Sequence, residues 1–163
     1  MSVGNTRDVS LSNAYSDEHR PLAAYGLLTA AFGALFGGGT TALHDRIPDR
    51  PRATDVALTG VATYKISRLL AKDRVTSVLR APFTRYEGEA GPSEVSEKPR
   101  GRGLQLALGE LLVCPYCMGQ WVAGALALGQ LAAPRTTRFV AGTFAAYALA
   151  DALQMAHVEA MPS

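Results

Sequence analysis

Residues 109–133 read GELLVCPYCMGQWVAGALALGQLAA, a turn with two cysteines fused to a long apolar run. No charged residue lies between Glu110 and Arg135, so residues 111–133 form an uncharged segment. As an α-helix this segment would be about 34 Å long, roughly the thickness of the hydrocarbon core of a bilayer. The stretch therefore predicts a membrane helix whose first turn carries Cys114 and Cys117, the two cysteines of the chain.

The composition of the 163 residues favours one helical membrane domain. Hydrophobic residues make up 48% and charged residues 18% of the chain. The charges are concentrated between uncharged blocks, as expected of membrane helices joined by polar connections. A net charge of +2, without a basic surface interleaved with aromatic residues, argues against nucleic acid as a partner.

A second uncharged block lies near the start of the chain, after a polar segment. Residues 1–20 are polar and lack periodicity, and they predict a flexible tail that precedes a helical membrane domain. Residues 21–43 are uncharged and contain Gly33 and Gly37. This spacing either lets another helix pack closely or only marks a frayed, glycine-rich helix.

The remaining two predicted helices carry charges. Residues 55–72 place Lys65, Arg68 and Lys72 on one stripe. Such a helix either crosses the membrane with its basic end reaching the surface, which we favour, or lies in the interface with the stripe towards headgroups. The helix predicted over residues 138–158 contains an apolar block that begins at Phe139 and is interrupted by Asp151.

The long connection over residues 73–103 determines the predicted topology. Nine of the sixteen basic residues fall within residues 65–102, so the positive-inside rule places this connection in the cytoplasm. Its second part is rich in Gly, Pro, Ser and charge, and predicts a linker with little order of its own.

The first part of that connection predicts a short amphipathic helix that stops at Pro82. In this helix Val75, Val78 and Leu79 would lie opposite Arg74 and Arg80.

Together the segments predict an all-α fold, a small multi-pass helical protein of the cell membrane that fills residues 21–161. Four transmembrane helices would leave both termini and the long loop in the cytoplasm. The expected partners are the lipid bilayer and either a second copy of the chain, as a homo-oligomer, or another membrane protein. No cofactor is expected.

Two acidic residues are candidates for ion pairs. Asp151 lies at nearly the same predicted depth as Arg68 and Lys65, and an unpaired carboxylate within a bilayer is costly, so one of these cations is its expected partner. Glu110 is interpreted either as an acceptor for Arg68, Arg80 or Arg102, or as a solvated carboxylate favoured by the start of a helix.

Several motifs resemble a small uncharacterised bacterial membrane family, domain of unknown function 1360. The resemblance covers about residues 55–150 and implies a multi-pass membrane protein without an assigned reaction. The residues that carry it are Arg68-Leu69, Arg80-Ala81-Pro82-Phe83-Thr84, Gly109-Glu110-Leu111-Leu112, Cys114-Pro115-Tyr116-Cys117 and Trp121.

The Cys114-Pro115-Tyr116-Cys117 motif is the one that could carry chemistry. Two cysteines at this spacing at the start of a helix are typical of thiol oxidoreductases, but the β-strand that precedes the motif in that fold is not predicted here. Zinc needs four ligands, so Cys114 and Cys117 could complete a metal site only between two chains. A third interpretation is structural, since proline suits a first helical turn and cysteine packs closely.

The leading functional hypothesis is a non-enzymatic membrane protein. Its basic cytoplasmic loop would contact a partner or anionic lipid headgroups, with Lys65, Arg68, Arg80, Pro82, Phe83, Glu110 and Asp151 as the interaction and structural residues. Trp121 is interpreted as a packing or interfacial anchor. The alternative is a membrane-bound thiol-disulfide redox protein, and a soluble helical domain stands third.

Overall fold

Four long helices form a bundle, and a short hairpin covers one of its ends. The computed structural model describes residue 15 and residues 20–161, so most of the predicted tail over residues 1–20 lies outside the described part. The elements are α1 (Leu22–Ala42), a one-turn 3₁₀ helix (His44–Arg46), α2 (Ala53–Lys72), α3 (Ser77–Arg80), β1 (Thr84–Gly91), β2 (Glu94–Pro99), α4 (Leu104–Val113), α5 (Pro115–Ala132) and α6 (Pro134–Ala160).

The long helices alternate in direction. Gly39 of α1 approaches Leu128 of α5, and Phe32, earlier in α1, contacts Trp121, earlier in α5. These two helices are therefore parallel, whereas α2 runs against α5, because its start lies beside the end of α5 through a hydrogen bond from Gln130 to Thr59. We call the end that carries residues 73–114 the hairpin end, and the end that carries residues 43–52 and 133–138 the arginine end.

The core lies where α2, α5 and α6 meet. Its buried members are small or aliphatic, which lets the helix axes approach closely. They are Ala62, Val122, Leu126 and Ala141, with Leu58, Ile66, Leu70 and Phe144 packed around them. By contrast, Gly33 and Gly37 of α1 have no neighbour within 4 Å of where a side chain would start, so the pair does not pack against another helix of the described chain.

Two helices, α1 and α6, are long and apolar enough to cross a membrane, and α4 with α5 would add a third span if the bent pair counts as one. The helical character of the chain is thus confirmed, while length and composition support fewer spans than the four expected. The helix predicted over residues 111–133 is divided, because the chain turns by 86° between α4 and α5. Pro115 lacks an N–H and forces Cys114 into an extended conformation, φ −103° and ψ 105°.

The expectation of an all-α fold was wrong in the long connection. Residues predicted to be a disordered linker form the antiparallel hairpin of β1 and β2, in which Thr84 pairs with Pro99 and Tyr86 with Glu97. Gly-Pro-Ser at residues 91–93 supplies the turn, since Gly91 and Ser93 both have positive φ. Of the residues that suggested a linker, Gly91, Pro92 and Ser93 therefore form the turn between the two strands, whereas Gly88, Ser96 and Pro99 lie within them.

Candidate functional sites at the hairpin end and within the bundle

Arg80 is the centre of the joint between the hairpin and the helices. Its side chain is fully buried, and its Nε donates to Glu97 Oε2 at 2.6 Å. Its remaining donors are satisfied by groups at the end of α2 and in the turn that follows: Leu70 O at 2.7 Å, Thr76 Oγ1 at 2.7 Å, Asp73 O at 2.9 Å and Ser77 Oγ at 3.1 Å. A planar guanidinium with five donors suits such an enclosure.

Pro82 and Phe83 continue this joint through their backbone. The carbonyl of Pro82 accepts hydrogen bonds from Arg100 and from Gln105 at the start of α4. A side chain at Gly109 would start only 2.6 Å from the carbonyl oxygen of Phe83. The absence of a side chain at Gly109 therefore allows α4 to pack directly on the backbone that leads into β1.

The predicted separation of Arg80 from Val75, Val78 and Leu79 is present in and before α3, but Arg74, predicted beside Arg80, is exposed. Arg80 points into the protein, while Val75, Val78 and Leu79 are 84%, 74% and 58% exposed. The sequence did not predict which of the two sides faces the protein. Arg80 is buried because the Glu97 carboxylate and the backbone carbonyls of Leu70 and Asp73 converge on its guanidinium and offset its desolvation.

A pair of cations occupies the outward face of the hairpin. Arg85 and Lys98 are cross-strand partners, both are exposed, and neither side chain has a hydrogen bond or ion pair with another described residue. Like charges directly opposite each other destabilise a strand pair slightly. The arrangement is therefore better suited to binding an anionic group than to stabilising the hairpin.

Within the bundle, Asp151 of α6 accepts a hydrogen bond from Lys65 of α2. The Lys65 side chain is 8% exposed, and its ammonium lies 3.8 Å from the centre of the Tyr147 ring. The sequence left Lys65 and Arg68 as candidate partners of Asp151, and the pairing with Arg68 was wrong. It forms a two-bond ion pair with Glu94 of β2, at 2.6 and 2.9 Å, and so ties α2 to the hairpin.

Glu110 is paired, but with a residue that the sequence did not suggest. Its carboxylate accepts from Arg20 Nη1 at 3.1 Å and from the Tyr25 hydroxyl. The predicted pairing of Glu110 with Arg68, Arg80 or Arg102 was wrong. Because α1 begins beside α4, Glu110 pairs with Arg20, although the two residues are remote in sequence. Trp121 packs edge-on against Phe32 at 5.4 Å and joins α5 to α1.

The cysteine motif forms the start of α5. Cys114 is the N-cap residue, and its Sγ accepts from the Cys117 N–H at 3.2 Å. The two Sγ atoms are 2.6 Å apart, and the intervening Tyr116 is 92% exposed. Beside the motif, Pro115 and Tyr116 line a cavity of about 310 Å³ that extends to Arg68.

A metal site at Cys114 and Cys117 would need ligands from elsewhere. In the part of the chain that the structure describes, no three His, Cys, Asp or Glu side chains are grouped closely enough to hold a metal ion. A site shared between two chains remains a prediction.

Sequence reasoning missed the acidic residues of the hairpin and two tyrosines. Glu94 and Glu97 were assigned to a linker, although the alternation of Val95 with Glu94 and Ser96 is a weak signal for a half-buried strand. Tyr25 and Tyr147 lie within apolar runs, where nothing in a single sequence distinguishes a tyrosine that contacts a charge from one that faces lipid.

Comparison with known proteins agrees with the resemblance. A family described as "Protein of unknown function (DUF1360)" matches residues 58–157, a range that includes the hairpin, the cysteine turn and Asp151. The chain is also similar to "Sporulation protein YjcA" of Bacillus subtilis (strain 168), with 32% identity over 88 residues, which covers 52% of this chain and 75% of that protein. No solved structure gives a significant match. The chain is therefore a member of the DUF1360 family of proteins of unknown function.

Proposed function

We propose that this chain is an integral membrane protein that crosses the membrane four times and acts as an anchor, not as an enzyme. The two apolar helices and the bent pair supply three crossings. α2 would be the fourth, although Lys65 and Arg68 lower its hydropathy. Support for this comes from its position between α5 and α6 and from the pairing of Lys65 inside the bundle. Polar groups in such positions are tolerated when they face the bundle interior and have partners.

The large exposed side chains of α2 support the same proposal. Most of them are hydrophobic, namely Val56, Val61 and Tyr64, whereas Arg68 is paired with Glu94 of the hairpin. The part of α2 that neighbouring helices do not cover is therefore largely apolar and suited to contact with lipid. The hairpin end would face the cytoplasm, because residues 65–102, which include the hairpin, hold nine of the sixteen basic residues.

The anchored part would be the hairpin, and its role would be to bind an acidic macromolecular partner. The observation that carries this proposal is the cation pair Arg85 and Lys98 on the outward face of the hairpin. Behind that face, the buried contact of Arg80 with Glu97 fixes the hairpin to the bundle. A surface that is already ordered loses little conformational entropy on binding. This favours specific recognition over nonspecific electrostatic attraction.

A photoreactive amino acid at Glu87, exposed close to the cation pair, tests the proposal in living cells. We expect an adduct with a protein of defined mass, and we expect Arg85→Glu with Lys98→Glu to abolish it. The same probe at Tyr64, on the exposed surface of α2, is the control and should react with lipid. Adducts with lipid alone at position 87, or no dependence on the two cations, would overturn the proposal of an acidic partner.

A second candidate function is thiol-disulfide exchange at Cys114 and Cys117. It is favoured by the separation of 2.6 Å between the two Sγ atoms at the start of a long helix, whose free N–H groups stabilise a thiolate. In this reaction the Cys114 thiolate would attack a disulfide of a partner and release one partner thiolate. Cys117 would then attack the mixed disulfide, so that the partner gains two electrons and two protons in total and Cys114 and Cys117 become a disulfide.

Trapping distinguishes this reaction from a structural role. Cys117→Ser should accumulate a mixed disulfide between Cys114 and a small disulfide such as oxidised glutathione, whereas Cys114→Ser should not. If both variants react with the disulfide at the rate of an ordinary exposed thiol, the redox candidate is excluded.

A further inference from the structure

A second cavity lies at the arginine end, opposite the hairpin. Its volume is about 460 Å³, and this open cavity is lined by the connection before α2, the start of α2, the end of α5 and the first turn of α6. One wall is apolar and includes Val56 and Ala127. The mouth is polar and contains three arginines: Arg50, Arg52 and Arg138.

The charge of this cavity is not balanced by its own residues. Asp55 is the only carboxylate that lines it, and Arg138 already engages Asp55 through two bonds of 3.0 and 2.8 Å. Neither Arg50 nor Arg52 makes a side-chain hydrogen bond or ion pair with a described residue. The three arginines and one aspartate leave the lining with a net charge of +2.

The position of these cations is also unusual for a membrane protein of the proposed topology. The two short connections at the arginine end would be extracellular, and such connections are normally poor in Lys and Arg. Here residues 43–52 and 133–138 contain five arginines. Arg46 caps the end of α5 through the carbonyls of Leu131 and Ala132. Among the described residues, Arg50 and Arg52 have no comparable hydrogen bond, and Arg52 interacts with Asp55 only through its charge.

We propose that this cavity binds a phosphate-bearing anion, and that its ligand is the headgroup of an anionic phospholipid of the outer leaflet. Arg50 and Arg52 would contact the phosphate through their paired N–H donors. The apolar wall would receive the glycerol and the first methylene groups, and Gln130, whose amide already donates to Thr59, would close the inner side. The inference rests on the proposed membrane insertion, which puts this end of the bundle at headgroup height.

Native mass spectrometry of the full chain, released from detergent, tests the site with defined ligands. The probes are dioleoyl phosphatidylglycerol, dioleoyl phosphatidylcholine and inorganic phosphate. We expect retention of phosphatidylglycerol at least tenfold above phosphatidylcholine, and a loss of at least tenfold in the double variant Arg50→Gln with Arg52→Gln. Both side chains are exposed, so the double variant should fold, which size-exclusion chromatography checks.

The matched control is Arg135→Gln, which removes an exposed cation from the same end without touching the cavity. Its retention of phosphatidylglycerol should stay within twofold of the unmodified chain. Equal retention by the double variant and the control would overturn the site. Displacement of the lipid by millimolar inorganic phosphate would overturn the lipid assignment in favour of a soluble anion. Release of the protein from membranes by carbonate washing would instead refute the proposed membrane insertion. Binding of inorganic phosphate can be measured whether or not the protein is inserted in a membrane, so the two tests are independent.

Discussion

Arg80 and Glu97 form an ion pair in which both side chains are almost completely removed from solvent, at 0% and 6% exposure. A buried pair of this kind adds little compared with apolar residues of the same volume, but the loss of one partner leaves an uncompensated charge. At the residue scale, the orientation of the hairpin therefore depends on keeping both charges. Thr84, whose hydroxyl donates to Glu97 Oε2 at 3.2 Å, completes the contact.

Glu97→Gln should detach the hairpin from the bundle. The substitution keeps the shape of the side chain and removes its charge, so we expect the hairpin to lose about 3–5 kcal/mol of stability. Its amides should then exchange with solvent roughly a hundredfold to several thousandfold faster in hydrogen-exchange measurements. Glu87→Gln, at an exposed position of the same hairpin, is the control and should change exchange little. Equal exchange in the two variants would contradict the role assigned to Arg80.

The Lys65–Asp151 pair gives a second prediction at this scale. Asp151→Asn alone leaves a buried ammonium without its carboxylate, so it should lower the yield of folded protein more than Asp151→Asn combined with Lys65→Gln. Arg68→Gln is the matched control, because Arg68 pairs with Glu94 instead. Its effect should add to that of Asp151→Asn. Additive losses in the double variant with Lys65→Gln would show that the contact between α2 and α6 does not depend on this pair.

At the scale of elements, the hairpin is held to α4 by a close backbone contact as well as by charge. The place of a side chain at Gly109 is taken by the Phe83 carbonyl, with Pro99 also within 3.3 Å. Because neither the backbone nor the proline ring moves easily, this contact sets the distance between α4 and the hairpin.

Gly109→Ala should separate these two elements. We expect a loss of about 1–3 kcal/mol from overpacking, measured as a lower melting temperature in detergent together with faster exchange in the hairpin. Gly60→Ala is the same substitution in the middle of α2, where a side chain would meet nothing within 4 Å. It should raise stability by about 0.5–1 kcal/mol, because alanine favours the helix. A loss of stability in both variants would mean that helix glycines are required for reasons other than this contact.

At the scale of the whole molecule, the alternating direction of the four long helices places the hairpin and the arginine end on opposite sides of the bundle. If all four helices cross the membrane, the hairpin must face one compartment and residues 43–52 the other. The proposed topology puts the hairpin in the cytoplasm, on the ground that nine of the sixteen basic residues lie within residues 65–102.

Labelling with a membrane-impermeant maleimide should therefore distinguish the two ends in intact cells. In a background with Cys114→Ser and Cys117→Ser, Ser93→Cys at the tip of the hairpin should remain unlabelled until the cells are opened. Asp49→Cys, exposed in the connection before α2, should label at once. The reverse pattern would invert the topology, and labelling of both cysteines in intact cells would exclude the proposed arrangement.

Much of the candidate site could be named from the sequence, but not its partners. The motifs Arg80 to Thr84 and Gly109 to Leu112 were identified as important segments, and the structure brings them together at the hairpin joint. The partners Glu97, Glu94 and Tyr25 were missed. Ion pairs between residues far apart in the chain depend on which elements become neighbours in the fold, and a single sequence does not show which elements these are.

The sequence by itself determined the long helices, because apolar length acts locally, whatever the rest of the chain does. The break at Cys114-Pro115 was not predicted, although its cause, the missing N–H of Pro115, is also local. Only the tertiary structure decided that residues 84–99 form a hairpin and that Arg80 faces inward. A two-stranded hairpin is marginal alone and needs the helices behind it. A buried arginine likewise persists only where a carboxylate and carbonyls from other elements surround it. Local rules predict an exposed arginine at residue 80, and the folded chain reverses that preference because it supplies the acceptors that water would otherwise provide.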